Sequence, residues 1–125
     1  MAVRIARLLL ALIFLFFGFN GFLHFLPMPP PPGVAGQFAG ALYQSHHIHI
    51  VWALQIISGI LLLINRYVPI ALVILAPIIV NILLFHALMA PSGLPMAFLV
   101  LILWLIVAFQ VRAAFAGLFL QRTDT

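Results

Sequence analysis

The sequence predicts an all-α integral membrane protein: a four-helix bundle, N-in/C-in, with a short interfacial or re-entrant helix between spans one and two. Three observations predict it. Hydrophobic residues make up 67% of the 125-residue chain and charged ones 5%, where a soluble domain is roughly 45–50% apolar and 25% charged. A 13.8 kDa globule has too much surface for its volume to hide that much apolar side chain from water. Four stretches approach the roughly 20 apolar residues that a helix needs to cross hydrocarbon. Finally, all five arginines sort to one side of a four-span chain.

The first span runs from about Ile5 to Leu26 and stops at Pro27. Arg4 and Arg7 at its start resemble the beginning of a signal peptide. The apolar run is longer than the roughly 7–15 residues of such a leader, and no small-x-small site ends it, so it is read as a retained span. Pro27-Met28-Pro29-Pro30-Pro31-Pro32 reads as extended polyproline II. Gly33 to Ser45 then forms the interfacial or re-entrant helix. The second span covers about His47 to Ile64 and ends at Asn65-Arg66. The third covers about Tyr67 to Met89 and ends at Pro91-Ser92-Gly93. Within it Pro77 frees the carbonyl of Val73, so a local kink is expected. The fourth covers about Pro95 to Val111 and continues as an interfacial turn to Leu120.

These spans are helices because lipid offers no partner to backbone N–H and C=O groups. A barrel needs alternating polar positions and more strands. The chain shows no internal repeat and reads as a single domain, residues 1–125. Tyr43 and Tyr67 read as interfacial belt residues, Trp52 and Trp104 as packing groups. Gly18, Gly21, Ser58, Gly59 and Ala113 to Gly117 allow helices to approach closely.

Arg4 and Arg7 precede span one, Arg66 separates spans two and three, and Arg112 and Arg122 follow span four. The excess of positive charge on cytoplasmic loops therefore places both termini and Arg66 in the cytoplasm. The chain has no cysteine, which removes disulfide exchange and thiolate chemistry. Five scattered arginines form no basic face for nucleic acid. Asp124, the sole acid, falls on the inner side in a tail read as frayed, so no hydrolytic site is expected.

Polar groups are costly inside a membrane, so their depth is informative. All five histidines and both in-span asparagines, Asn20 and Asn81, fall in the outer half. Asn20 and His24 share a face of span one, and Asn81 and His86 lie near the outer end of span three. On a continuous helical wheel Gln44, His47, Val51, Gln55 and Ser58 form one stripe, with His46 and His49 on another side. The pattern suggests a polar chamber opening outward between spans one, two and three. An apolar slot with a few hydrogen-bonding groups suits a quinone, and imidazoles supply proton exchange. His46, His47 and His49 form an alternative site for copper, zinc or haem iron. A bis-histidine haem would use His24 or His47 with His86. The bland alternative is that these groups only hydrogen-bond neighbouring helices.

Three segments carry a family resemblance. Phe17-Gly-Phe-Asn-Gly-Phe-Leu-His-Phe-Leu-Pro27, Gly59-Ile-Leu-Leu-Leu-Ile-Asn-Arg-Tyr-Val-Pro69 and Leu75-Ala-Pro-Ile-Ile-Val-Asn-Ile-Leu-Leu-Phe-His86 resemble the first three spans of DoxX-family membrane proteins. The resemblance extends from about Arg7 to Phe119 and implies a four-helix membrane bundle with a link to quinol oxidation. Ser45-His-His-Ile-His49 departs from the pattern, which leaves a metal-related specialisation open.

The expectation is an accessory or quinone-linked component of a membrane redox system. A quinone-like molecule would be bound by Asn20, His24, Gln55, Asn81 and His86. No site for an electron-carrying cofactor is evident, so the isolated chain is not expected to be an enzyme. The alternatives are a metal-binding or small-solute transport module using His46, His47 and His49, and a purely structural subunit. Expected partners are the lipid bilayer, other membrane redox subunits and a second copy of the chain, with no nucleic acid.

Overall fold

The computed structural model describes residues 1–25 and 31–122. Five α-helices carry the described chain: α1 (Ala2–Leu23), α2 (Val34–Gln44), α3 (His47–Leu63), α4 (Val68–Leu88) and α5 (Leu94–Gln110). Short 3-10 segments, Pro91–Gly93 and Arg112–Phe119, precede and follow α5. There is no strand among the described residues. Most of the polyproline run, Pro27 to Pro30, and the tail with Asp124 lie outside the described residues.

Local chemistry sets the helix ends. His24 closes α1 in a left-handed conformation, φ 53°, its N–H donating to the Asn20 carbonyl. After α3, Asn65 turns left-handed at φ 57°, and the Arg66 N–H reaches back to the Leu61 carbonyl at 3.0 Å. Asparagine is the common substitute for glycine at such a helix exit. Pro69 sits in the first turn of α4, where a missing N–H costs nothing. α4 continues through Pro77 as one helix.

α1 packs on α3 and α5, and α4 packs on α3 and α5, giving a closed ring of antiparallel neighbours. Its core combines Leu10, Ala11 and Phe14 of α1, Leu62 of α3, Leu72, Leu75 and Ile79 of α4, and Val100, Leu103 and Val107 of α5. The Trp104 indole N–H bridges α5 to the Leu72 carbonyl of α4 at 3.0 Å. The outward faces are as apolar as the core: Ile57, Ile60, Val73, Val80, Leu84, Ile102, Leu105 and Phe109 are all exposed. Helices that are apolar all round belong in lipid. α1, α4 and the stretch Pro91–Gln110 are each long and apolar enough to cross a membrane. α2 and α3 qualify together, as a pair bent by 82°. The chain is thus all-helical, with three to four helices able to span a membrane.

The bend corrects one element of the sequence reading. A wheel from Gln44 to Ser58 assumes one continuous helix, but Gln44 ends α2 and His47 begins α3. Ser45 explains the break. Its hydroxyl donates to the Leu42 carbonyl at 3.2 Å and accepts the His47 N–H at 3.3 Å, while His46 turns left-handed at φ 63°. The face of α3 turned to α1 therefore carries His49, Trp52, Gln55, Ile56 and Gly59 rather than His47 and Val51.

Candidate functional site

The antiparallel ring gathers the histidines at one end and the arginines at the other. α1 and α3 make the most extensive helix contact in the fold, and glycines are the reason. A Cβ at Gly18 would fall 2.8 Å from Ile56 Cγ1 and 3.1 Å from the Trp52 carbonyl oxygen. One at Gly59 would fall 2.7 Å from Leu15 Cγ, and one at Gly21 would collide with the Trp52 indole. This close approach buries two carboxamides, Asn20 on α1 and Gln55 on α3.

Above them, towards the histidine end, six rings meet. The His49 imidazole lies 5.2 Å from Trp52, 5.2 Å from His46, 5.4 Å from Tyr43 and 5.9 Å from Phe22, centroid to centroid. His24 joins at the rim, 6.5 Å from Tyr43. Three elements build this cluster: Phe22 and His24 from the end of α1, Tyr43 from α2, His49 and Trp52 from α3. His49 Nδ1 is buried in it and has no hydrogen-bond partner among the described residues. Gln55 Oε1 and Ser58 Oγ, deeper on the same helix, are also buried without one. Native interiors seldom leave such atoms unpaired unless water or a ligand completes them. Ser58 has a local remedy, since a serine hydroxyl can turn back to a carbonyl of its own helix. His49 and Gln55 do not.

The remaining predicted site residues lie elsewhere. Asn81 is exposed on α4, its amide donating to the Pro77 carbonyl at 3.0 Å. His86 Nδ1 donates to the Ile82 carbonyl at 2.9 Å, and its ring packs on Phe85 and over Gly93. No ring contact or hydrogen bond joins His86 to another histidine among the described residues. His47 is exposed at the start of α3. Among the described residues no three His, Asp or Glu side chains are placed to share a metal ion. Sequence reasoning counted His49 among the outer-half histidines and as a candidate metal ligand, and Tyr43 and Trp52 as architecture. The one available signal was local: His49 and Trp52 are a single helical turn apart and so share a face.

At the arginine end a cavity of about 320 Å³ opens between α1, α5 and the α3–α4 turn. A second, of about 270 Å³, is an apolar groove between α4 and the closing 3-10 segment, lined by Ile70, Val73 and Phe115 among others.

Comparison with protein-family models, curated proteins and solved structures returns no match.

Proposed function

We propose that the chain is a DoxX-like, multi-pass protein of a bacterial inner membrane, with both termini cytoplasmic and the histidine end facing outward. It serves as an accessory, quinone-linked component of a membrane redox system. The observation that carries this reading is the buried Nδ1 of His49, without a hydrogen-bond partner among the described residues, inside a cluster of aromatic rings. A flat carbonyl-bearing ring suits that setting: aromatic faces supply stacking, and an imidazole N–H donates to a quinone oxygen. Asn20 and Gln55 form the polar floor, His24 and Tyr43 the rim. His24, being exposed, is the group able to pass a proton outward. Asn81 and His86 already bond within their own helix, and we assign them to shaping α4.

The test uses Trp52 as its own reporter. In a Trp104→Phe background, a soluble quinone analogue should quench the remaining tryptophan in a saturable manner. His49→Leu should weaken the apparent affinity by about tenfold, the loss of one hydrogen bond from a desolvated site. Non-saturable quenching, or equal affinity in the two proteins, rejects the proposal.

A further inference from the structure

The arginine end has its own chemistry. Four polar side chains line its cavity: Arg4 and Arg7 of α1, Asn65 of the α3–α4 turn, and Gln110 at the end of α5. Arg7 Nη1 donates to the Leu62 carbonyl and, at 3.4 Å, to that of Leu63. One edge of its guanidinium is thereby fixed against the end of α3. The side chains of Arg4, Asn65 and Gln110 make no hydrogen bond or ion pair among the described residues. Among the described residues no carboxylate faces these cations. The helix dipoles do not answer them either. α1 and α4 begin at this end while α3 and α5 finish at it, so the partial charges of two N-termini and two C-termini offset one another. The charged groups lining the cavity are thus the two guanidiniums, with two carboxamides beside them. Planar, multiply donating cations of this kind select phosphate oxygens.

We propose that this cavity holds the phosphate of an anionic lipid headgroup, gripped by Arg4 and Arg7 and oriented by Asn65 and Gln110. Lipid is favoured over free phosphate by position. The cavity lies at the start of α1 and the end of α5, and the ends of membrane-spanning helices are where headgroups are met. The site goes beyond the redox reading and does not rest on it.

The experiment takes the full chain, purified in detergent and stripped of lipid. Phosphatidylglycerol or phosphatidylcholine is titrated in, and retention is read by native mass spectrometry. One phosphatidylglycerol per chain should be held, and phosphatidylcholine should be held at least about tenfold more weakly. Arg4→Gln should reduce phosphatidylglycerol retention by a similar factor. Arg112→Gln should not, because Arg112 is occupied with the Phe109 carbonyl and ring outside the cavity. Arg7→Gln is a secondary variant, since Arg7 also closes α3. Equal losses in Arg4→Gln and Arg112→Gln would reduce the effect to diffuse charge and overturn the site. Equal retention of the two lipids, or displacement of phosphatidylglycerol by millimolar inorganic phosphate, would overturn the lipid assignment.

Discussion

Gly21 shows how one residue sets both packing and site. With no Cβ it lets α1 lie against the flat of the Trp52 indole, and Trp52 in turn holds His49 in the ring cluster. Gly21→Ala should push the indole aside and destabilise the protein by about 1–3 kcal/mol, the usual cost of overpacking a tight contact. Unfolding in detergent measures this. Trp52→Leu in the same chain should recover part of the loss, and strict additivity of the two changes would argue against the contact. The close-approach role of Gly18, Gly21 and Gly59 was legible in the sequence, because small residues in an apolar run have few other uses in lipid. The role of His49 was not. Its environment is assembled from α1, α2 and α3, and no spacing within one helix encodes that.

At the level of elements, the helices follow from apolar runs punctuated by Pro, Asn and Gly. The two-part path into α3 does not. Its marker is a single serine, whose hydroxyl bonds back to the end of α2 and accepts from the start of α3, local bonds that serine makes at helix ends. His46 then adopts a left-handed backbone, which for a residue other than glycine costs roughly 1–2 kcal/mol. His46→Gly should thus be neutral or stabilising by up to about 1 kcal/mol, after allowing for the freer unfolded chain. His46→Val, branched at Cβ, should lose more than about 1 kcal/mol. Thermal unfolding of the two variants distinguishes them. If both lose stability equally, the side chain of His46 matters more than its backbone, and the bend has another cause.

For the whole molecule the deciding question is how many times the chain crosses the bilayer. By length and composition three helices, or four if the bent α2–α3 pair counts as one, are able to cross a membrane, so three and four crossings are both compatible with the fold. α3 has 17 residues, a rise of about 25 Å, a little short of the roughly 30 Å hydrocarbon core. Packing favours a full crossing. Arg7 of α1 donates to the Leu62 carbonyl of α3, and Arg4 shares a cavity with Asn65, so both ends of the α1–α3 pair return to one level. A re-entrant α3 would strand Leu62 and Arg7 on opposite sides of the membrane. The sequence reading had α3 as a full span from its apolar run and from charge sorting, and placed the first three spans around one chamber; the packing of α5 against α1 was not legible, because every outer face is equally apolar. The absence of cysteine makes the test clean. Ser92→Cys, between α4 and α5, should react with a membrane-impermeant maleimide in intact spheroplasts. Gln121→Cys should react only after lysis. The reverse pattern would invert the orientation. Labelling of Ala2→Cys and Gln121→Cys on opposite sides would require an odd number of crossings, and with it the loss of the shared arginine cavity that the packing of α1 against α3 creates.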